Sequence, residues 1–340
     1  MSGTRLQSHP ASAAEVARLA GVSRSAVSRT FTEGASVSAE TRARVLAAAE
    51  ALNYHVNHLA RGISKQDSRP VCLIGATLDA PFHARMLDRL TQALQRARRM
   101  VMVINTGGAD GPGAGVHQAL EHALSYRAVA TVVLSGTPPA DLVAACVAAG
   151  QRMILLNRAD PLPGICHIRV DDAPAMRDAV SMLLRAGVRR CALVTSASGT
   201  PALAQRAAHF RREAEAAGLS LRVWQGGPTA YATGQRAARE LLAGADRPEG
   251  IFCVTDLLAF GVIDAARHEF RMEIPRDLSV IGFDDVAQAS WGAYDLTTFA
   301  HPFDAIAEEI LLRIGSTELP EAPILLPPTL CWRGTVRPEG

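Results

Sequence analysis

The apolar positions of the chain change period partway along it. Over residues 12 to 52 they recur at helical spacing in three short bursts. Ser12-Ala13-Ala14-Glu15 has the form of a capping box, and it opens a helix in which Val16, Leu19 and Ala20 share a face and which Gly21 closes. Ser23 caps a second helix with Ala26, Val27 and Phe31 facing inward. After the loop Thr32-Glu33-Gly34-Ala35-Ser36, Ser38 caps a third helix running to about Leu52, with Val45, Leu46, Ala49 and Leu52 as its apolar positions. The pattern predicts three short helices around one small core. Residues 57 to 69 are polar and carry Gly62 inside weak helical character, which reads as a linker.

From Val71 onward the period shortens to apolar runs of strand length separated by amphipathic helices. VCLIGATL, MVMVIN, VATVVLS and RMILLN form one series of buried strands; RRCALVT, SLRVWQ, GIFCVT and LSVIGFDD form a second. Two consecutive sets of strand and helix units predict an α/β architecture of two doubly wound parallel-sheet subdomains behind an all-α N-terminal domain. Ligands of such folds sit at the carboxyl ends of the strands, here in the cleft between the subdomains.

Composition and charge sharpen this picture. The 340 residues, 48% apolar and 20% charged, describe a globular chain of two or three domains. The net charge of +2 hides an asymmetry, because residues 1 to 69 hold nine Lys or Arg against five acids, a balance of +4. Phosphate contacts belong in that N-terminal fifth. Lys65 is the only lysine, which excludes a G-x-x-x-x-G-K-[ST] phosphate loop. Six cysteines at irregular separations, with no C-x-x-C pair, read as buried apolar residues in a reducing compartment. The N-terminus lacks an apolar run of signal-peptide length and no segment approaches a membrane span, so a soluble cytoplasmic protein is expected.

AEVARLAGVSRSAVSRTF, SVSAETRARVLAAAEALNY, NHLARGIS, VTDLLAFG, IPRDLSVIGFDD and LTTF occur here in one order over nearly the whole chain. They closely resemble the LacI/GalR family of bacterial transcription regulators. That resemblance implies a helix-turn-helix DNA-binding domain at 1–56 and a hinge helix at 57–69. It also implies a periplasmic-binding-protein-like effector and dimerisation domain at 70–340. Within the last, the first subdomain is expected at about 70–169 and 301–322 and the second at about 170–300 and 323–338. In a helix-turn-helix the second helix enters the major groove with its N-terminal side chains at base edges. Arg24, Ser25 and Arg29 are therefore assigned base readout, each bidentate arginine contact to guanine supplying ~1–3 kcal/mol of discrimination. Ser12, Ser23 and Ser28 either cap helices or donate to phosphates. Tyr54 and Asn57 match positions where the family contacts the DNA backbone. Ala60 lies in the matching hinge, and Ile63 stands where the family wedges an aliphatic side chain, usually leucine, into the minor groove.

In the cleft the resemblance points to Asp79 and Phe82 in LDAPFH, where His83 replaces the family's second aromatic. It points also to Asn157, to Arg206 at the family's ligand-contacting arginine, to Asp256 and Asp284 at two strand ends, and to His301 and Phe303 after LTTF. Carboxylates, an amide and an arginine around aromatic faces suit a polyhydroxylated ligand. Asp285 reads as a structural helix cap, Phe82 reads equally as core, and His301 stands evenly between contact and structure.

Enzyme readings find little support. There is no G-x-S-x-G elbow, and Asp284 and His301 have no nucleophile in motif context. His117 and His122 stand about 140° apart on a helix, poor for chelation. The glycine-rich segment 107–115 lacks G-x-G-x-x-G, and Pro112 removes an N–H donor. No catalytic residue, cofactor or metal is expected. The expectation is a homodimeric repressor that binds a roughly palindromic operator and answers to a sugar, sugar acid or similar polar metabolite. The absence of apolar heptads near RGTVRPEG favours a dimer over a coiled-coil tetramer. The alternative is a non-catalytic sugar-binding protein or a sugar-modifying enzyme of the same α/β fold.

Overall fold

The computed structural model describes residues 11–32, 34–55, 69–78, 80–107, 114–158, 164–316, 318–320 and 322–338. The chain divides into two compact units, Met1–Ser68 and Arg69–Gly340.

In the first unit, α1 (Ala13–Ala20), α2 (Arg24–Thr30) and α3 (Ala39–Ala51) form the predicted trio. Ser12 and Glu15 make the reciprocal capping box, and Gly21 ends α1 in the left-handed conformation at φ 62°. Ser23 and Ser38 accept from Ala26 and Thr41 N–H and cap α2 and α3. The core is Val16, Ala17, Ala20, Val27, Val45, Ala48 and Ala49, with Phe31, Leu52 and Tyr54 half-buried beside it. Two expected core residues lie outside it, Leu19 at 56% exposure and Leu46 at 47%. The helical wheel gives the reason. On α1 the buried arc runs from Val16 through Ala20 to Ala17, and on α3 from Ala48 through Val45 to Ala49, which leaves both leucines beyond its edge.

The second unit is built on two parallel sheets. The first takes β1 (Val71–Gly75), β2 (Val101–Asn105), β3 (Ala130–Val133), β4 (Arg152–Leu156), β5 (Cys166–Val170) and β11 (Ile324–Leu326) in the order β11-β5-β4-β3-β1-β2. The second takes β6 (Arg190–Thr195), β7 (Ser220–Gln225), β8 (Gly250–Cys253) and β9 (Ser279–Ile281) in the order β7-β6-β8-β9. Between the strands run α4 (Pro81–Arg96), α5 (Ala114–Ser125), α6 (Ala140–Ala148), α7 (Ala173–Arg185), α8 (Pro201–Ala216), α9 (Tyr231–Leu242), α10 (Asp256–His268) and, after β10 (Thr298–Ala300), α11 (Phe303–Gly315). Every residue of β1 is buried, as expected of a strand covered on both faces.

The chain passes between the lobes three times: after β5, after β10, and after β11. The last differs from expectation, because residues 323–338 were assigned whole to the second subdomain. Ile324–Leu326 instead pairs in parallel with Ile168–Val170 and extends the first sheet. Only then does β12 (Thr329–Cys331) pair with β10, and Thr335 bond to Val280 of the second sheet. The partner strand β5 was also missing from the predicted series, because His167 and Arg169 break its apolar run. Pairing on both sides and the buried side chains of Cys166, Ile168 and Val170 hold that strand.

Helices α9 and α10 approach unusually closely through glycine. A Cβ added at Gly261 would fall 2.1 Å from Tyr231 O, and one at Gly234 would fall 2.1 Å from Leu258 O. All six cysteines are free and five are buried, burial pushing the Cys72 thiol up to about 12.

Candidate functional site

Helix α2 has seven residues, too few to hold in isolation. Val27 and Thr30 anchor it, both buried, and the Thr30 hydroxyl donates to Ala26 O at 2.9 Å. At 100° per residue the exposed positions Arg24, Ser28, Ser25 and Arg29 follow one another around a contiguous arc of about 140°, facing away from that anchor. Ser23 Oγ lies 2.8 Å from Ser25 Oγ while it caps the helix.

The arginines of α2 and α3 divide into two kinds. Arg44 Nη2 donates to Ala20 O at 2.5 Å and to Gly21 O at 3.0 Å, and Arg42 Nη1 donates to Thr30 O at 2.9 Å. Both hold α3 to the carbonyl ends of the two preceding helices, where a cation also meets the negative pole of the helix dipole. The guanidinium groups of Arg24 and Arg29 stay exposed and make no such bond among the described residues. Ser12 is engaged in its capping box, its hydroxyl donating to Glu15 at 2.8 Å. Tyr54 is half-buried with its ring 5.8 Å from that of Phe31, so it braces the end of the bundle. Asn57, Ala60 and Ile63, with the expected hinge, lie outside the described residues.

In the second unit, the carboxyl ends of both sets of strands open on one cleft of about 580 Å³. Phe82, Asn157, Arg206, Asp284 and His301 line it, as the sequence predicts. Asn157 ends β4 and spans to β5, its Oδ1 accepting the Val170 N–H at 2.9 Å. Arg206, on α8, is 3% exposed. Its guanidinium carbon sits 3.4 Å from the centroid of Phe283, and Nη1 donates to Val254 O at 2.6 Å. Asp172 Oδ2 lies 3.6 Å from Arg206 Nε, and Asp284 Oδ1 lies 3.9 Å from Nη1. Each acid carries a histidine: His209 Nδ1 is 2.6 Å from Asp172, and His301 Nε2 is 3.0 Å from Asp284.

Burial pushes the Asp284 carboxyl up, while Arg206 and His83 pull it back. Burial, with Arg206 next, holds His301 well below its ordinary value, so its ring is neutral near pH 7. Asp284 occupies φ 123° and Asp285 φ 50°, a region that costs a non-glycine residue roughly 1–3 kcal/mol and fixes the direction of both side chains.

Two predicted cleft residues sit behind the wall. Asp256 is fully buried beneath the cleft, accepting from Val286 N–H at 2.9 Å and from the Thr298 hydroxyl at 2.6 Å. The first helical residue turns back under the strand end, and it is Thr255, one position earlier, that faces the cleft. Phe303 is 5% exposed and backs the wall, its centroid 5.6 Å from Phe82 and 5.4 Å from His301. Asp285 pairs with Arg333 at 2.7 Å and accepts Arg85 at its carbonyl, in place of the expected helix cap. Asp79 lies outside the described residues.

The sequence reading did not single out Arg158, Arg169, Asp172, Gln205 or Thr255, all of which line the cleft. Asp172 could have been found, since DDAP opens a helix directly after a strand. Arg169 could also have been found, since CHIRV alternates apolar and polar residues through all five positions of β5; it donates to the Gln205 side chain across the cleft.

Comparison with known proteins gives two family matches. Residues 13–57 match bacterial regulatory proteins of the lacI family, and residues 180–336 match the periplasmic binding protein-like domain. The HTH-type transcriptional regulator GalR of Escherichia coli (strain K12) is 27% identical over 95% of this chain and 94% of its own length. The ribose operon repressor of the same strain is 26% identical over 94% and 98%. Among solved structures, the lac repressor dimer bound to operator and the anti-inducer ONPF shares the fold, with a TM-score of 0.85, 22% identity, and coverage of 96% of this chain and 99% of that one. An exposed polar arc on a helix-turn-helix, a cleft at paired strand ends and both family matches in one chain lead to one conclusion: the protein belongs to the lacI family of bacterial regulatory proteins, DNA-binding regulators of transcription.

Proposed function

We propose that the protein is a homodimeric cytoplasmic repressor in which α2 of each subunit reads one half-site of a roughly palindromic operator. A small polyhydroxylated metabolite of the sugar kind, bound in the 580 Å³ cleft, sets the operator affinity. The observation that carries this reading is the division of arginines between α2 and α3, where Arg42 and Arg44 donate to helix-end carbonyls while Arg24 and Arg29, on the polar arc of α2, make no such bond among the described residues. Arg24, Ser25 and Arg29 then meet base edges, and Ser12, Ser23, Ser28, Tyr54, Asn57, Ala60 and Ile63 contribute backbone and minor-groove contacts. In the cleft, Phe82, Asn157, Arg206, Asp284 and His301 touch the ligand, with Asp79 joining them. The stacked, charge-braced Arg206 offers fixed donors, the carboxylates accept hydroxyl protons, and the Phe82 ring covers an apolar sugar face. No catalytic step is assigned to any of these groups. The domain limits proposed are 1–56, 57–69 and 70–340.

The related ribose operon repressor is named for a sugar system, which favours a sugar over a nucleobase. Mobility-shift titration of the full chain on duplexes from its own upstream region, repeated across a panel of sugars, tests the reading. Retention of one duplex, altered by a compound that also raises the melting temperature, is expected. Turnover of the compound, or no retained duplex at near-physiological salt, would overturn it.

A further inference from the structure

Among the described residues three guanidinium groups line the cleft, and two of them lack a counter-charge there. Arg158 follows Asn157 at the end of β4, its Nε is buried without a hydrogen-bond partner, and no carboxylate of the described residues pairs with it. Burial lowers its pKa. Arg169 on β5 donates, among the described residues, to the neutral amide of Gln205. The two carboxylates that line the cleft among the described residues are engaged elsewhere, Asp172 with His209 and Arg206, and Asp284 with His301 and Arg206. Leaving cations half-desolvated and uncompensated is costly unless a ligand completes them.

The backbone points the same way. Ala80, Thr200 and Thr255, the N-cap residues of α4, α8 and α10, all line the cleft, and none makes a side-chain capping bond. The positive ends of α4 and α8, whose first residues Pro81 and Pro201 carry no N–H, therefore lie at the same space as the two arginines, while at α10 the Asp256 N–H is already given to Phe283 O at 2.7 Å. A neutral sugar would leave that field unanswered.

We infer that the effector is a polyhydroxylated oxyanion, a sugar acid or a sugar phosphate, whose anionic group is bound by Arg158 and Arg169. This deepens the effector reading above and rests on it. Arg206 keeps the role of positioning hydroxyls, because its own charge is already answered by Asp172 and Asp284.

Calorimetric titration of the full chain with inorganic phosphate at constant ionic strength tests the site. Saturable binding at one site per subunit is expected, weakened at least about tenfold by Arg158→Gln and by Arg169→Gln, and unchanged by Arg222→Gln on the exposed edge of β7. Arg158→Lys, which keeps charge but loses the fork, should fall between wild type and Arg158→Gln, and it carries the test if the glutamine variant does not fold. No saturable phosphate binding, or binding indifferent to both substitutions, would overturn the proposal. Gluconate set against sorbitol, and glucose 6-phosphate against glucose, separates the sources. A preference for gluconate assigns a carboxylate and one for glucose 6-phosphate a phosphate; a neutral member that binds more tightly than its anion overturns the proposal. Where neither member of a pair binds, the phosphate titration alone decides. If phosphate binds through the two arginines while DNA affinity answers to no bound ligand, the anion site stands and the effector reading falls.

Discussion

Arg206 lies face-on over Phe283, its guanidinium carbon 3.4 Å from the ring centroid, with Asp172 and Asp284 against its edges at 3.6 and 3.9 Å. A buried cation so held is structural, and the ligand contact proposed for it adds a second expectation. Replacing it by alanine strands two buried carboxyl groups, which is expected to cost about 3–5 kcal/mol of stability and to abolish the ligand response. Lysine should not restore that response, because an ammonium reproduces neither the planar stack nor the fork of donors. Denaturant unfolding and ligand titration of the two variants measure both expectations.

Arg42 and Arg44 make the opposite prediction. Their bonds end on Thr30, Ala20 and Gly21 carbonyls, so alanine at either should lower the stability of the N-terminal unit by about 0.5–1.5 kcal/mol. The preferred operator sequence should not change. Hydrogen exchange of the α1 and α2 amides, together with the base preference of each variant, separates these roles; a changed preference would argue for a direct base contact.

This division of arginines is what the sequence could not show. Spacing located α2, its Ser23 cap and its polar arc, but the composition counted all arginines of the first unit alike. The cleft was legible where a residue ends an apolar strand, as Asn157 and Asp284 do. It was misread at Asp256, because one residue of helical rotation decides whether a side chain faces the ligand or the core. Arg169 and β5 were missed for another reason: Cys166, Ile168 and Val170 alternate with His167 and Arg169, so the strand paired between β4 and β11 has no continuous apolar run. The same pairing moved the last lobe crossing beyond Leu326. Burial and charge compensation depend on residues far apart in sequence, such as Asp172 with His209 and Asp285 with Arg333.

Close helix contact sets a further test. Gly261→Ala would drive a methyl group into the Tyr231 carbonyl, and the neighbour it meets is backbone. Such overpacking should cost about 1–3 kcal/mol, seen as a lower thermal midpoint. Alanine at Gly150, where an added Cβ meets no atom within 4 Å but φ is 77°, should lose less, through conformation alone.

The buried titratable groups pull stability in opposite directions with pH. Asp256 is raised above its ordinary 3.8 by burial and then by the charge of Asp284. The folded chain therefore holds its proton longer than the unfolded chain, and this contribution is lost as pH rises from about 4 through the raised value. His301 is held neutral when folded, while the unfolded chain protonates it below 6.5, so its contribution is lost as pH falls below that value. The stability difference between wild type and Asp256→Asn should shrink as pH rises over that interval. The difference between wild type and His301→Gln should shrink as pH falls. Urea unfolding across the range reads both slopes, and a reversal of either sign would contradict the assigned burial.

The central claim is that the exposed arc of α2 reads DNA sequence. Selection of bound duplexes from a random library by the full chain, repeated with Arg24→Ala and Arg29→Ala, tests it most directly. Wild type should enrich a roughly palindromic site, and each variant should relax the preference at one base pair of each half-site, at about 1–3 kcal/mol per contact. Enrichment of the same site with undiminished preference by both variants would contradict the account.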